Sequence, residues 1–306
     1  MTSALVRAFR LLFWIRSPVL IMVGSLVACK EATRPPTVEV EITFASNGVL
    51  YVTDTSGSPP QRVVPQDESS YEPTWSPDGR YVAFTRQTQT SPSSWDYQVT
   101  VLDTETGVET PLSVGPRDNF SPAWSPNGQQ IAFLSRSKDS TNGATIRIIQ
   151  SNGTGTRELG TAHYYVRAPR WAPDGTRLAV TDSAVEVAIV DANTGALVKV
   201  LSPGFSPAWS PDGSTIAFVC SGQSAAAICL IDVDGQNQRV ISDSSDYQPA
   251  WSPDGTYLAV ESWRRPFNQS PDADVYLMRA DGTGQKQLTL GVTWDREPAW
   301  RRFLTP

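Results

Sequence analysis

The chain has 306 residues, of which 25 are basic and 31 acidic, so its formal net charge is −6. Its 24 prolines, 21 glycines and ten tryptophans are typical of a folded protein with many short strands and turns. The acidic balance argues against nucleic acid as a partner and against polybasic attraction to anionic lipid.

The first 28 residues differ in character from the rest of the chain. Arg7, Arg10 and Arg16 make a basic start, and residues 18–28 are an uninterrupted run of apolar or small side chains. That run is too short for a mature membrane span and is typical of a secretion signal. It ends in Leu-Val-Ala-Cys29, which resembles the lipobox of bacterial lipoproteins and implies cleavage before Cys29 with lipid attachment to its sulfur. The alternatives are a plain signal peptide with an incidental cysteine, or a buried apolar segment.

We therefore expect a signal peptide at 1–28, a lipidated Cys29 with a tether through residue 41, and a folded domain over 42–306. Two or more acyl chains on Cys29 would anchor the protein stably. Without residues 1–28, 22 basic residues face 31 acidic ones, so membrane contact is expected from the lipid alone. The predicted location is the extracytoplasmic side of a bacterial cell envelope. Inner membrane, outer membrane and surface display all stay open.

A tryptophan-centred pentapeptide, Trp-Ser-Pro-Asp-Gly, repeats along the rest of the chain. Its five copies begin at Trp75, Trp124, Trp171, Trp209 and Trp251, with Asn127 replacing the aspartate in the second copy and Ala172 replacing the serine in the third, and a sixth tryptophan follows at Trp300. The successive spacings of 49, 47, 38, 42 and 49 residues are typical of propeller blades. Proline fixes φ and glycine accepts a left-handed conformation, so each copy predicts a tight turn between two antiparallel strands. We expect the tryptophans to pack between neighbouring sheets.

Each repeat carries four strand candidates, called A to D. In the last full copy they are 247–251, 257–261, 275–279 and 287–290. Near the amino terminus, residues 42–64 match strands B, C and D of a blade that lacks A, and the segment ending at Trp300 supplies an A with nothing behind it. The sequence therefore predicts an all-β, six-bladed propeller of four-stranded antiparallel blades, closed by pairing of the two chain ends.

These copies of Pro-x-Trp-Ser-Pro-Asp-Gly, each followed by an Ile-Ala-Phe-like strand and an Asp-Gly turn, resemble the TolB-type β-propeller repeat. The same repeat occurs in the propellers of tricorn protease and of prolyl oligopeptidase relatives. The resemblance covers residues 42–303 and implies the fold, not a function. TolB itself carries an amino-terminal α/β domain, whereas here the propeller begins within about a dozen residues of Cys29. We therefore describe the chain as TolB-like.

One face of the predicted disc concentrates aromatic and arginine side chains. The D–A segments place one such residue four positions before each tryptophan: Tyr71, Phe120, Arg167, Phe205, Tyr247 and Arg296. The longest B–C loops add Trp95 and Trp263 on the same face. Aromatic residues and arginine are enriched at binding hot spots, so we predict a ligand-binding face around the channel mouth. The alternative is that these side chains only pack between blades and cover the disc.

Sequence features of catalysis are few. The single histidine, His163, lies in a D–A segment, and no Gly-x-Ser-x-Gly elbow, P-loop, dinucleotide fingerprint or zinc cluster occurs. Asp232-Val-Asp-Gly235 has too few ligands for a calcium loop. We predict a monomeric, non-catalytic scaffold without cofactor or metal that binds a protein or peptide, or alternatively a glycan. Because related propellers include pectin-fragment lyases, an enzyme acting on envelope polysaccharide is the second hypothesis.

Two cysteines other than Cys29 are present, Cys220 and Cys229. They fall near the end of strand B and within strand C of one blade, so they are candidates for a cross-strand disulfide in an oxidising compartment. The alternative is two small buried thiols.

Overall fold

The computed structural model describes residues 38–64, 69–113, 115–139, 143–160, 165–222, 225–242, 245–264, 272–290 and 293–304. The predicted signal peptide, Cys29 and His163 lie outside these residues. For Arg167 the backbone is described and the side chain is not.

The described chain forms 24 strands in six antiparallel sheets of four strands each. The first half comprises β1 (Val38–Ser46), β2 (Val49–Asp54), β3 (Gln61–Arg62), β4 (Ser69–Trp75), β5 (Tyr81–Ser91), β6 (Ser94–Asp103), β7 (Glu109–Pro111), β8 (Arg117–Trp124), β9 (Gln130–Ser137), β10 (Thr145–Gln150), β11 (Arg157–Glu158) and β12 (Tyr165–Trp171). The second half comprises β13 (Arg177–Asp182), β14 (Glu186–Asp191), β15 (Leu197–Pro203), β16 (Phe205–Trp209), β17 (Thr215–Ser221), β18 (Ala226–Asp232), β19 (Arg239–Val240), β20 (Asp246–Trp251), β21 (Tyr257–Ser262), β22 (Asp274–Arg279), β23 (Lys286–Gln287) and β24 (Asp295–Leu304).

The six sheets are the blades of a closed propeller. Blade 1 has the strand order β24-β1-β2-β3, and blades 2 to 6 take β4–β7, β8–β11, β12–β15, β16–β19 and β20–β23 in turn. The innermost strands contact one another in ring order, from β4 through β8, β12, β16 and β20 to β24 and back to β4. This confirms the predicted fold class. Closure removes the open sheet edges that two unpaired chain ends would leave.

The two chain ends meet in blade 1. Strand β1 pairs antiparallel with β24, with Ile42 opposite Trp300 and Val38 opposite Leu304. The predicted closure is therefore confirmed, and β1 begins four residues before the predicted domain start at residue 42. The outer strands are shorter than predicted: β23 covers Lys286–Gln287 rather than 287–290.

The repeated pentapeptide makes the turn between the first and second strand of a blade. In blade 5 the Gly213 amide donates to the Ser210 carbonyl at 2.9 Å, with Gly213 at φ +73°. The Ser210 hydroxyl donates to Asp212 at 2.6 Å and accepts the Thr215 amide at 3.0 Å. Hydrogen bonds from Ser210 and Ser214 lower the pKa of Asp212. Serine, aspartate and glycine therefore suit this turn, although blade 4 forms the same turn with Ala172 in the serine position, where the Gly175 amide donates to the Ala172 carbonyl at 2.9 Å.

The repeated tryptophans join neighbouring blades by hydrogen bonds as well as by packing. In four cases the indole N–H donates to a backbone carbonyl of the preceding blade: Trp171 to Ala123 at 3.1 Å, Trp209 to Arg170 at 3.1 Å, Trp251 to Ala208 at 3.2 Å and Trp300 to Ala250 at 2.9 Å. Trp75 donates instead to the Thr43 hydroxyl at 2.9 Å. The buried indole nitrogen of Trp124 has no partner among the described residues.

The hydrophobic core consists of clusters between adjacent blades. Between blades 4 and 5, one cluster combines Ile189, Trp209 and Phe218 with the disulfide of Cys220 and Cys229. The disulfide joins residues that lie diagonally across the β17–β18 ladder, with Cα atoms 5.8 Å apart. Both side chains are buried against blade 4, so this cross-link sits inside the core and not at the surface.

Candidate binding site at the channel mouth

The four predicted ring aromatics are half-buried between blades. Tyr71 packs against the cluster of blades 1 and 2, Phe120 against that of blades 3 and 4, and both Phe205 and Tyr247 against that of blades 5 and 6. The Phe205 and Tyr247 rings lie 6.4 Å apart. Each ring packs between sheets, and each also lines the channel or one of the pockets at its mouth.

A compact cluster of two tryptophans and one arginine lies where blade 6 meets blade 1. The Arg296 guanidinium carbon is 4.0 Å from the Trp294 ring centroid and 5.9 Å from that of Trp263. The two indole rings meet edge to face at 5.6 Å. The Trp263 N–H donates to the Glu261 carboxylate at 3.0 Å, which fixes this ring, whereas Trp294 is 42% exposed. We call Trp263, Trp294 and Arg296 the tryptophan–arginine cluster.

Sequence reasoning selected Trp263 and Arg296 and missed Trp294. Trp294 lies just before β24, in the segment that enters the innermost strand of blade 1. This position in the sequence could have predicted that Trp294 lies on the same face as Trp263 and Arg296. Trp95 is 41% exposed near the end of the long β5–β6 hairpin, opposite Gln89. In the described part of the chain, Trp95 shares no ring contact with Trp263.

Two small pockets flank Arg296 and Glu297 at the channel mouth. One, of about 380 Å³, is lined by Asn47, Tyr71 and Trp294; the other, of about 450 Å³, is lined by residues that include Tyr247 and Trp263. Arginine and aromatic side chains border both. The structure therefore brings Tyr71, Tyr247, Trp263 and Arg296 together around the same mouth.

In five of the six blades, the residue one position further along the innermost strand lines the channel itself. All five are non-glycine residues with positive φ: Glu72 (54°), Ser121 (56°), Ser206 (54°), Gln248 (50°) and Glu297 (56°). Each falls at a register shift between the first and second strand of its blade, and each precedes a proline. Proline disfavours the right-handed helical region for the residue before it. A left-handed non-glycine residue costs on the order of 1 kcal/mol and persists only where its surroundings hold it.

Carboxylates hold two of these strained amides. Glu297 accepts the Glu72 amide at 2.5 Å, and Glu72 in turn accepts the Ser121 amide at 2.8 Å and the Thr85 hydroxyl at 2.7 Å. The chain of hydrogen bonds runs from blade 1 through blade 2 to blade 3. In blades 4 and 5 the equivalent acceptor is a hydroxyl, Thr181, which receives the Ser206 amide at 3.1 Å. The backbone N–H of the left-handed residue is therefore accepted either by a glutamate carboxylate or by a threonine hydroxyl.

Two acids and one arginine make the channel electrostatically unusual. Burial, and then the negative charge of Glu72, raise the pKa of Glu297 to about 8. Burial lowers the pKa of Arg170, while the Glu72 and Glu297 carboxylates act in the opposite direction. The position of Arg170, directly before the tryptophan, holds a small residue in every other blade: Thr74, Ala123, Ala208, Ala250 and Ala299. The sequence analysis did not select Glu72, Arg170 or Glu297. Arg170 could have been noticed, because it is the one large charged residue at a position that is alanine or threonine in the other five blades.

Among the described residues, no three histidine, cysteine, aspartate or glutamate side chains are grouped closely enough to hold a metal ion. The same part of the chain contains no helix with the length and apolarity needed to cross a membrane.

A closed ring of six four-stranded blades around a polar channel defines a six-bladed β-propeller. Its repeat is that of one family, whose model, described as the TolB beta propeller domain, matches residues 37–183 and 181–302. The chain belongs to this family.

Solved structures show the same fold at low sequence identity. TolB from Acinetobacter baumannii is 20% identical with a TM-score of 0.72; the match covers 85% of this chain and 66% of that one. A TolB candidate from Agrobacterium tumefaciens is 20% identical with a TM-score of 0.64, covering 88% and 99%. An oligogalacturonate lyase in complex with manganese is 20% identical with a TM-score of 0.51, covering 84% and 73%. A search of curated proteins found no match. This chain thus spans just under two thirds of the Acinetobacter TolB.

Proposed function

We propose that this chain is a non-catalytic lipoprotein of the bacterial cell envelope whose propeller binds a protein or peptide at the channel mouth. The observation that carries the proposal is the tryptophan–arginine cluster. Trp294 and Arg296 stack on each other beside two pockets, and Trp263 is held by a hydrogen bond to Glu261. Rigid tryptophan and arginine anchors next to concave pockets are the residue types that dominate binding energy in protein interfaces.

The scaffold role is also supported by the fold, since family membership and the two TolB-type neighbours place the chain among propellers of this kind. The lipid anchor rests on the sequence of residues 1–29 alone. A Cys29→Ser variant is expected to lose metabolic labelling with radioactive palmitate and to leave the membrane fraction. Labelling that persists in this variant would contradict the anchor.

The binding proposal is tested by in-cell photocrosslinking followed by affinity capture of the full-length protein. The face variant combines Trp294→Ser with Arg296→Ala, because both side chains reach the surface and neither belongs to a core cluster. A matched control combines Leu197→Ser with Val198→Ser, two exposed apolar residues on β15 at the outer edge of blade 4.

We expect a discrete partner whose capture falls by about tenfold or more in the face variant and is unchanged in the control, as for the loss of a hot-spot pair. Equal capture by both variants would contradict the assignment of this face. If capture finds no protein, a glycan array with the same two variants tests the glycan alternative. Binding of a glycan that depends on Trp294 and Arg296 would replace the protein partner with a saccharide.

A further inference from the structure

The channel holds a guanidinium, that of Arg170, on the innermost strand of blade 4. Arg170 donates one hydrogen bond, to the carbonyl of Pro169 at 3.2 Å, and belongs to no ion pair among the described residues. Its side chain lines a channel of about 510 Å³. The fold does not call for a charge here, since the equivalent positions of the other blades carry alanine or threonine.

Across the channel from Arg170 lies a carboxylate with a free oxygen. Arg170 is on blade 4, and in a ring of six the opposite blade is blade 1, which carries Glu297. One oxygen of Glu297 accepts the Glu72 amide, and the other makes no hydrogen bond to a described residue. Glu72 differs, because Thr85 and Ser121 occupy its carboxylate.

A third open group lies beside Glu297. The side-chain amide of Gln248, on the neighbouring blade 6, makes no hydrogen bond among the described residues and lines the same channel. The side-chain atoms of Arg170, Gln248 and Glu297 that make no hydrogen bond are not fully buried. All three groups are therefore accessible from the channel.

These groups are poorly explained by folding alone. The strained bulge accepts serine in two blades, and in both of them a threonine hydroxyl accepts the serine amide, so the bulge does not need the charge of Glu297. Placing a carboxylate and a guanidinium in a confined channel without direct contact costs desolvation free energy on both sides. A ligand that contacts both would offset that cost.

The geometry points to a site for a small zwitterion, a free amino acid or short peptide. Its ammonium group would bind Gln248 and the ionised form of Glu297, which the ligand's charge would stabilise over the protonated form that burial favours, and its carboxylate would bind Arg170. A simple anion would satisfy Arg170 and face the two glutamates, and a simple amine would satisfy Glu297 and face Arg170. Only a ligand with both charges matches the channel. The volume lies within the range of small-molecule sites.

The proposal is tested by isothermal titration calorimetry on the full-length protein with glycine, diglycine and triglycine, which step the distance between the two charges. For the length that binds best, the N-acetylated and the carboxamide forms each remove one charge. We expect each blocked form to bind about tenfold or more weakly, because one charge-assisted contact is lost. This comparison uses the unaltered protein and does not depend on whether a variant folds.

Variants then locate the site. Arg170→Gln and Glu297→Gln are each expected to weaken binding of the same peptide by about tenfold or more. Arg239→Gln and Glu158→Gln, which alter the same charges on exposed outer strands, are expected to leave it unchanged. The inference is overturned if no zwitterion binds, if a blocked form binds equally well, or if Arg170→Gln binds like the unaltered protein. Partner capture through Trp294 and Arg296 is a separate measurement, so either proposal can fail alone.

Discussion

Replacing Trp300 with phenylalanine removes a hydrogen bond between blades and keeps an aromatic ring in place. The indole N–H of Trp300 donates to the Ala250 carbonyl at 2.9 Å, and phenylalanine leaves this carbonyl without its donor. A neutral hydrogen bond contributes about 1 kcal/mol net, and leaving one partner unsatisfied costs on the order of 1–3 kcal/mol. The matched control is Trp124→Phe, because Trp124 is similarly half-buried between blades but its indole nitrogen has no partner among the described residues.

The two substitutions lose similar ring volume, so their difference isolates the hydrogen bond. Removing an unpartnered buried N–H at Trp124 recovers part of the packing loss, whereas removing the donor at Trp300 adds to it. We therefore expect Trp300→Phe to lower the free energy of unfolding by about 2 kcal/mol more than Trp124→Phe. Since each kcal/mol of stability shifts the thermal unfolding midpoint by roughly 2–4 °C, the Tm of Trp300→Phe should be about 4–8 °C lower than that of the control.

The measurement is urea unfolding followed by far-ultraviolet circular dichroism, which does not depend on the tryptophans that are changed. Equal m-values for the two variants would show that the same surface is exposed on unfolding. Equal free energies of unfolding, or a less stable Trp124→Phe, would refute the view that these indoles hold blades together by hydrogen bonds. Ring packing alone would then account for the repeat.

Three further predictions concern the channel, the core and a turn. Because Glu297 keeps a proton in the folded state up to about pH 8 and loses it near pH 4.5 when unfolded, stability should fall as pH rises through this window. Glu297→Gln should flatten that slope and be about 1–2 kcal/mol more stable than the unaltered protein at pH 9, because the channel is open rather than enclosed and this reduces the cost of burying the charge; a slope that persists in the variant contradicts the assignment. Intact mass before and after reduction should differ by two hydrogens for the bond between Cys220 and Cys229, and the double serine variant should lose about 2–3 kcal/mol by loop-closure entropy. No mass change would mean free thiols. Gly282→Ala should lower the stability much more than Gly107→Ala does, although both glycines have positive φ. At Gly282 the added methyl carbon would lie 2.0 Å from the Ile241 carbonyl oxygen of the neighbouring blade, whereas at Gly107 no atom lies within 4 Å of it. Similar midpoints for the two variants in thermal unfolding would show that the backbone relaxes at Gly282.

The blade pattern was predictable because the information is local. Ser-Pro-Asp-Gly specifies a turn through hydrogen bonds within six residues, as at Ser210 and Asp212, and the tryptophan before it recurs once per blade. Closure followed from counting strands: residues 42–64 lacked a first strand and Trp300 supplied one. The outer strands were less predictable, because a two-residue strand such as β23 has almost no alternation pattern to detect.

The site was only partly predictable because it is assembled across blades. Sequence offsets selected Trp263 and Arg296, yet their contact with Trp294 depends on which loops meet at the junction of blades 6 and 1. The same offsets selected Tyr71 and Phe120, which the structure places between blades in contact with the core. Offset along a strand does not reveal how far a side chain lies from the ring axis.

By itself the sequence determined the number of blades, their strand order and the way the ring closes, since turns and strand periodicity act over a few residues. Only the tertiary structure decided that Glu72, Arg170 and Glu297, distant in sequence, line one channel without ion pairing. It also decided which tryptophan N–H groups find a carbonyl on the next blade. These are distances between separate sheets, and they exist only after the blades have packed into a ring.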